Sequence, residues 1–336
     1  MEKIARFWER KDDKKVKCTL CPHGCVIYEG KRGICRVREN KGGKLYTLIY
    51  GSASSVAVDP IEKKPLYHFY PGSYVFSMGT VGCNLSCKHC QNYSISAVGP
   101  EDIYLREMEV EEVADLAIRY GCKGIAWTYN EPTIWHEFAL DASKIAKKKG
   151  LYAVYVSNGY INEEPFREIG SYLDAINVDV KAFSDEFYRK ITGGRLEPVL
   201  NTCKLAKEIG LHLEITYLVI PGLNDSDNEI RKFCRWVVEE ISADTPVHFT
   251  RFFPHFKMTD RPPTPLDTLK KAFSIAKEEG LKYVYIGNVP HGDYENTYCP
   301  RCGALLIERY GFSSSIIDLD GNRCGKCGEK IPIVVE

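Results

Sequence analysis

Short runs of β-branched and aromatic residues alternate with amphipathic stretches between residues 74 and 288, and this alternation limits the folds open to the chain. The runs predict strands at residues 74–78, 124–128, 151–157, 175–180, 211–220, 246–252 and 282–286. Helical patterns lie between them at residues 110–120, 133–149, 163–170, 226–241 and 265–279. Glycines stand where helices commonly stop, at Gly121, Gly150, Gly210 and Gly280. Repeated βα units of this kind build a parallel sheet covered by helices.

Polar motifs at the ends of successive predicted strands favour a barrel over an open doubly wound sheet. TYNEP follows the second strand, SNGY follows the third, and DVK ends the fourth. In a barrel, the loops at the carboxyl ends of the strands converge on one mouth. We therefore predict an α/β fold with a partial TIM-like barrel over residues 74–294. A Cys-rich metal-binding segment over residues 1–73 and a small metal-dependent piece over residues 295–336 flank it.

The charge balance and the opening segment exclude several classes of protein. Lys and Arg total 45 and Asp and Glu total 45, so net charge does not direct the chain to nucleic acid or to an anionic membrane. A local basic patch for nucleic acid is left open. The segment MEKIARFWERKDDKK is charged where a signal peptide is apolar, and no window holds about 18 uninterrupted apolar residues. We predict a cytoplasmic protein without a membrane partner.

Most of the fourteen cysteines fall into three tight groups, which is typical of metal sites and not of disulfides. The N-terminal group is Cys18, Cys21, Cys25 and Cys35; the central group is Cys83, Cys87 and Cys90; the C-terminal group is Cys299, Cys302, Cys324 and Cys327. The singletons Cys122, Cys203 and Cys234 are predicted to be small buried hydrophobes.

The central group supplies three thiolates in the segment GTVGCNLSCKHCQN, directly after the first predicted strand. Iron–sulfur cubanes usually take four cysteines, so three without a nearby fourth leave one iron open to a substrate or cofactor. The alternative is a zinc knuckle completed by a remote ligand such as His89.

The two outer groups each offer four thiolates. The C-terminal group forms two C-x2-C knuckles 21 residues apart, which predicts a closed structural zinc ribbon, with rubredoxin-type iron as the alternative. The spacing of the N-terminal group suits either zinc or a fully ligated second iron–sulfur cluster, and His23 beside it is predicted to be a bystander.

The central loop resembles that of the radical S-adenosylmethionine (radical SAM) superfamily, where it follows the first strand of a partial (β/α)6 barrel. The resemblance implies that Cys83, Cys87 and Cys90 hold a 4Fe–4S cluster whose open iron chelates S-adenosylmethionine. It also implies reductive cleavage of that cofactor to a 5′-deoxyadenosyl radical, which abstracts hydrogen. His89 occupies a position where the family commonly has an aromatic residue packed on adenine.

Further motifs imply residues that contact the cofactor. Residues 128–132, TYNEP, are similar to the family's Gly-Gly-Glu-Pro segment, which implies that Asn130 and Glu131 lie near the cofactor's ammonium group. SNG resembles the segment that contacts the ribose and implies Ser157 and Asn158. On the residues alone, Glu-Pro could begin a helix and Asn-Gly could form a turn.

Two motifs resemble glycyl-radical-enzyme activases in particular. DVK is similar to their Asp-Leu-Lys motif, which implies that Asp179 and Lys181 approach the cofactor's methionine and ribose. RFFPHFKM is similar to their Pro-Phe-His-Lys-Met stretch with Phe and His interchanged, which implies His255 as a site residue.

Over nearly its whole length the chain resembles the radical SAM enzyme of the AmmeMemoRadiSam system, itself similar to pyruvate formate-lyase activating enzymes. This implies an unidentified substrate, such as a residue in a partner protein, with a one-electron donor and the proteins of that system as partners. The alternatives are a radical modifier of RNA or of a small metabolite and, from another class, a non-catalytic scaffold with zinc in all three cysteine groups.

Overall fold

An eight-stranded sheet forms the centre of the computed structural model, which describes residues 2–12, 14–290 and 292–335. The strands lie side by side in chain order: β1 Ser55–Pro60, β2 Tyr74–Gly79, β3 Gly124–Trp127, β4 Tyr152–Ser157, β5 Ala175–Asp179, β6 His212–Val219, β7 Val247–Arg251 and β8 Val284–Gly287. β1 is antiparallel to β2, and β2 to β8 are parallel. β1 and β8 do not pair with each other, so the barrel is open.

A helix connects each parallel strand to the next. These crossover helices are α1 Val110–Arg119, α2 His136–Lys148, α3 Glu163–Gly170, α4 Leu196–Glu208, α5 Asp227–Trp236 and α6 Leu266–Glu278. The predicted partial barrel is thereby confirmed. The four glycines predicted as helix stops all have positive φ, between 68° and 98°, a conformation that glycine adopts without a Cβ clash.

The prediction lacked β1, and it indicated α4 only by the helix stop at Gly210, without bounds. The buried face of α4 includes Thr202 and Cys203 beside Val199 and Ala206, so its apolar stripe is weak in the sequence. Thr202 takes a core position because its hydroxyl donates to the Gly159 carbonyl at 2.7 Å. β1 belongs to the residues 1–73 predicted as the Cys-rich segment, although it pairs with β2 along its whole length.

The flanking pieces are built from short antiparallel strands. At the N-terminal side these are Lys3–Ile4, Trp8–Asp12, Lys15–Cys18, Val26–Tyr28, Arg38–Lys41, Lys44–Thr47 and Ser52–Ala53, the last paired with Arg106–Glu107. At the C-terminal side they are Thr297–Tyr298, Leu305–Tyr310, Ser313–Ile316, Leu319–Asp320 and Arg323–Cys324. Short helical turns lie at Ile61–Lys63, Tyr93–Ser96, Pro132–Trp135, Asp185–Phe187, Tyr188–Thr192, Val237–Ile241 and Asp293–Glu295.

Residues 61–70 fill the barrel interior near the amino ends of the strands. Leu66 and Phe69 pack there against small and branched side chains of the strands, Val75, Ala126, Val154 and Ala175. Closer to the carboxyl ends of the strands, the inward-facing side chains are polar, and two of them hydrogen-bond to the backbone of residues 61–70. Asn177 donates to the Pro65 carbonyl at 2.8 Å, and Glu214 accepts from the His68 amide at 2.7 Å.

The register of the sheet explains a glycine at the start of β3. Gly124 lies between Val75 of β2 and Tyr152 of β4. A Cβ at Gly124 would lie 2.0 Å from the Tyr152 ring, so the ring occupies the space that a side chain would need. Each helix in residues 2–12, 14–290 and 292–335 is too short or too polar to span a membrane.

His68 predicts a pH dependence of stability. Its buried ring has Nδ1 3.1 Å from the Pro332 carbonyl, so Nδ1 carries the proton, and Nε2 accepts from the Tyr285 hydroxyl at 2.6 Å. Burial lowers the pKa of His68 to about 3. As the pH falls from about 6.5 to 5, the unfolded chain gains a proton at His68 that the folded chain does not, so His68 should lower the free energy of unfolding by about 1 kcal/mol per pH unit on average.

The measurement is urea unfolding at a series of pH values for the wild type and His68→Gln. We expect a shallower decline for His68→Gln over this range, because glutamine does not titrate. Equal slopes for the two proteins would contradict the assignment of a neutral buried imidazole.

Candidate active site

A cavity of ≈460 Å³ opens at the carboxyl ends of the barrel strands. Its lining residues include one from the end of nearly every parallel strand, among them Thr128, Asn158, Asp179, Thr250 and Asn288. Such a convergence of strand ends was predicted from the motifs TYNEP, SNGY and DVK. The carboxyl ends of parallel strands are where barrels place their ligands.

The central cysteines, Cys83, Cys87 and Cys90, line this cavity in the loop after β2. Desolvation by the surrounding protein raises the pKa of Cys87 to about 11 and raises that of Cys83 well above its ordinary value. Thiols in such a place ionise when a metal cation supplies the opposing charge. Among the described residues, no fourth cysteine lines the cavity. The donor set therefore fits an iron–sulfur cluster with an open iron.

Asn84 and Asn158 hold the cysteine loop in place. The Asn84 side chain donates to the Tyr160 carbonyl at 2.7 Å and accepts from Asn158 Nδ2 at 2.9 Å. Asn158 Nδ2 also lies 3.7 Å from the Cys83 sulfur. The structure thus places Asn158, predicted beside the ribose, against the sulfur of Cys83. The sequence analysis did not name Asn84 as a site residue, although it directly follows the first cysteine of the motif and was therefore bound to lie near the site.

Glu131 connects the loops after β3 and β4. Its carboxylate accepts from the Thr133 amide at 2.9 Å, the Ser157 hydroxyl at 2.8 Å and the Asn158 amide at 2.8 Å. Burial raises the pKa of Glu131, and these donors oppose the rise. Ser157 therefore faces Glu131 and is not a lining residue of the cavity, whereas Glu131 is. The geometry assigns Glu131 a positioning role at the strand ends.

Tyr129 and Asn130 stand where the family has two glycines, and the backbone keeps a glycine-like conformation there. Tyr129 has φ 72°, a left-handed conformation that is uncommon for a bulky residue. Its hydroxyl donates to Asp59, which helps to hold it there. Asn130 accepts from the Thr80 amide at 3.0 Å and donates to the Gly82 carbonyl at 2.8 Å, so it secures the loop that carries the cysteines.

Asp179 and Lys181 form an ion pair on the cavity wall, with Lys181 Nζ 2.7 Å from Asp179 Oδ2. Burial acts to lower the pKa of Lys181, but Asp179 and the Cys87 sulfur outweigh it and the pKa is raised. Lys181 is therefore a cation close to Cys87. The pair presents both signs of charge to the cavity.

The two histidines predicted for the site have different positions. His89 lines the cavity, and burial lowers its pKa to about 3, so its ring is neutral. His255 is not a lining residue of the cavity. Its ring packs 6.0 Å from that of Tyr93, and its backbone pairs with Met258. The structure therefore does not bring His255 together with the other predicted site residues.

Lys64 is a lining residue that the sequence analysis missed. It is 1% exposed, its Nζ lies 2.7 Å from Asp59 Oδ2, and it sits 4.7 Å above the Tyr129 ring. Burial lowers the pKa of Lys64 to about 8 against the opposing effect of Asp59. No motif marks this lysine, since its segment reaches the site through the inserted residues 61–70.

The C-terminal cysteines form a compact group. The Cys299 and Cys327 sulfurs are 3.6 Å apart, those of Cys302 and Cys324 are 3.7 Å apart, and all four lie within 4.8 Å of one another. Zinc–sulfur bonds of about 2.3 Å in a tetrahedron place the sulfurs about 3.8 Å apart. The group therefore fits a single metal ion of that size with no open position.

Comparison with known proteins agrees with this geometry. The family model described as the Radical SAM superfamily matches residues 78–234. An uncharacterized protein of Methanocaldococcus jannaschii is 52% identical over 98% of this chain and 99% of its own. A pyruvate formate-lyase-activating enzyme of Clostridium pasteurianum is 26% identical over 45% of this chain and 64% of its own.

Solved structures support the fold. The crystal structure of a radical SAM methyltransferase from Sphaerobacter thermophilus superimposes with a TM-score of 0.51 at 13% identity, covering 85% of this chain and 76% of that one. At this identity the likeness concerns the fold alone.

Proposed function

Because the chain belongs to the radical SAM superfamily, we propose that it cleaves S-adenosylmethionine reductively and uses the resulting radical to abstract hydrogen from a residue of a partner protein, as activating enzymes do. One observation carries the proposal. Three thiols without a fourth cysteine open onto the same cavity as the polar ends of the parallel strands. An open iron and a cofactor pocket would then face each other.

Cys83, Cys87 and Cys90 would hold a 4Fe–4S cluster. When bound, that cluster supplies the electron for cleavage of S-adenosylmethionine and a site that chelates its methionine moiety. The residues of the chain orient the partners of this reaction. Glu131, Asn130 and Asn158 fix the loops, so that the ligand sulfurs and the strand ends keep one relative position.

The Asp179–Lys181 pair is suited to a zwitterionic ligand. Lys181 stays protonated and can face a carboxylate, whereas Asp179 can face an ammonium group. His89 offers a neutral ring at the cavity wall, as a surface for a nucleobase. These contacts match the zwitterion and the adenine of S-adenosylmethionine.

The charges at the mouth of the cavity support a protein substrate over RNA. Lys63 and Lys64 both bind Asp59, each at 2.7 Å, and Glu62 lines the same mouth. A basic mouth, which RNA would require, is therefore absent from the lining residues that the structure describes. We further propose zinc at the C-terminal group, an external one-electron donor, and the proteins of the AmmeMemoRadiSam system as partners.

The test is anaerobic reconstitution with iron and sulfide, followed by reduction with dithionite in the presence of S-adenosylmethionine. We expect 5′-deoxyadenosine and methionine in equal amounts by chromatography, and neither without dithionite. A colourless protein that carries zinc and forms no product would favour the non-catalytic scaffold. No product from a protein with a verified intact cluster would contradict the proposal.

A further inference from the structure

We propose that the N-terminal group, Cys18, Cys21, Cys25 and Cys35, holds a second iron–sulfur cluster that passes electrons to the central site. The identity of this metal site stands on its own geometry, whereas the electron transfer rests on the function proposed above. The same four thiols could have held zinc, so the structure has to discriminate between the two.

The four thiols line one enclosed cavity. Cys18 ends the strand Lys15–Cys18, and the other three lie in the turns that follow. Backbone amides hydrogen-bond to three of the sulfurs: that of His23 to Cys21, that of Ile34 to Cys25 and that of Val37 to Cys35. Amide donors of this kind stabilise metal-bound thiolates and tune cluster potentials.

The spread of the sulfurs favours a cluster over a single ion. In the part of the chain that the structure describes, the C-terminal group is the one set with three or more ligand atoms within 4.8 Å of one another. No three of the N-terminal sulfurs therefore lie within 4.8 Å of one another, nor do the three of the central group, whereas tetrahedral zinc holds its four sulfurs about 3.8 Å apart. An iron–sulfur cluster spreads its cysteines because each sulfur binds a different part of a polynuclear core. The N-terminal group thus resembles the central site and differs from the ribbon.

A buried cation faces the same cavity. Arg38 is 1% exposed, and its Nη1 lies 3.8 Å from the Cys18 sulfur. Nη1 also donates to the Arg6 carbonyl at 2.8 Å and Nη2 donates to Glu137, but Nε has no hydrogen-bond partner among the described residues. A buried polar group without a hydrogen-bond partner destabilises the folded protein, and an anionic thiolate-ligated cluster would offset this loss by attracting the guanidinium.

The segments that carry the N-terminal and central cysteine groups are in direct contact. The Cys35 carbonyl lies 2.4 Å from the position of a Cβ at Gly82, the residue before Cys83, so the two backbones touch. His23 Nε2 binds the Asn84 carbonyl at 2.6 Å, and Asn84, the residue after Cys83, lines the N-terminal cavity. An electron therefore has a short packed path from one group to the other.

Cys21 lies between the enclosed cavity and the surface. It also lines an open groove of ≈590 Å³ that carries Lys17, Arg195 and Lys204. In the proposed transfer, a low-potential one-electron carrier, a reduced flavin or iron–sulfur protein, loses one electron to the N-terminal cluster near Cys21. That cluster passes the electron to the central cluster and returns to its oxidised form. No bond to carbon is made or broken in this step.

The first test removes the central site, so it does not depend on cofactor cleavage. The Cys83→Ala/Cys87→Ala/Cys90→Ala protein is reconstituted anaerobically, and its iron, sulfide and zinc are measured. We expect about four irons per chain for a cubane or about two for a binuclear cluster, with sulfide in equal amount and an electron paramagnetic resonance signal after reduction. A protein without iron that carries about two zincs per chain would overturn the proposal.

The second test measures the transfer. Cys18→Ser/Cys21→Ser is compared with the wild type and with Cys234→Ser, a buried cysteine outside the groups, and zinc at the ribbon reports correct folding. We expect dithionite to support 5′-deoxyadenosine formation in all three, while reduced flavodoxin supports it at least about tenfold more slowly in the double variant. Equal rates with flavodoxin, together with loss of the N-terminal iron, would exclude the relay. If the double variant does not fold, the iron content of the triple variant alone decides whether the N-terminal group holds an iron–sulfur cluster.

Discussion

Replacing Cys87 by alanine is expected to reduce 5′-deoxyadenosine formation to the level of a control without protein. With two thiols left in the loop after β2, the central site cannot hold a cluster that also leaves one iron open for S-adenosylmethionine. The measurement is chromatography after reduction with dithionite. The loss of activity should be accompanied by loss of the iron proposed for the central site and not of the metal proposed for the C-terminal group.

Cys122→Ala is the matched control for this change. Cys122 is also buried, but it lies between α1 and β3, outside the three groups. It should keep the iron content and most of the activity, because a small hydrophobe is replaced by a slightly smaller one. Substantial product from Cys87→Ala would show that the three thiols of the loop are not the cluster ligands.

Replacing Arg38 by methionine is expected to lower the free energy of unfolding by about 3–5 kcal/mol, because it leaves a buried carboxylate without its counter-charge. Arg38 is 1% exposed and its partner Glu137 is 2% exposed. Glu137 also accepts from the Arg6 amide at 2.7 Å, so it joins the N-terminal strands to α2. Urea unfolding under anaerobic conditions, followed by tryptophan fluorescence, measures the loss.

The double variant Arg38→Met/Glu137→Met shows whether the unpaired charge is the cause. Removing both charges leaves no buried ion, so we expect the double variant to recover a large part of the stability. If the single variant loses less than about 1 kcal/mol, the pair is not held in the apolar surroundings that the structure shows. Loss of iron from the single variant alone would further connect Arg38 to the proposed N-terminal cluster.

Tyr129 differs from the glycine that the family has at this position, and the structure shows how the loop accommodates it. Tyr129 takes the left-handed backbone that a glycine would provide, and Asp59 binds its hydroxyl. Asp59 also pairs with Lys64. Tyr129, which stands in place of the family's glycine, is therefore connected through Asp59 to a buried group of charges at the cavity mouth. Substrate specificity is therefore expected to depend on residues 59–64 as well as on the barrel loops.

Local patterns were enough to predict the barrel and to mark the cysteine motifs. The alternation of strand and helix patterns predicts the parallel sheet, because each βα unit depends on periodicities that a short stretch of chain carries by itself. The cysteine spacings predict the central group and each C-x2-C pair for the same reason, since residues only a few positions apart must share a loop, whereas the joining of the two C-terminal pairs is a tertiary contact. The helix stops at Gly121 and Gly150 have the positive φ that their sequence positions indicate.

The contacts between distant segments were decided by the tertiary structure. The insertion of residues 61–70 into the barrel brings Lys64 to the cavity, and no local pattern encodes which segment fills an open interior. Ser157 and Asn158 can both donate hydrogen bonds to the Glu131 carboxylate because of the way β3 and β4 pair. The conformation of the loop after β7 keeps His255 out of the cavity. The contact of Cys35 with Gly82, on which the proposed electron path depends, likewise arises from packing between segments far apart in the chain.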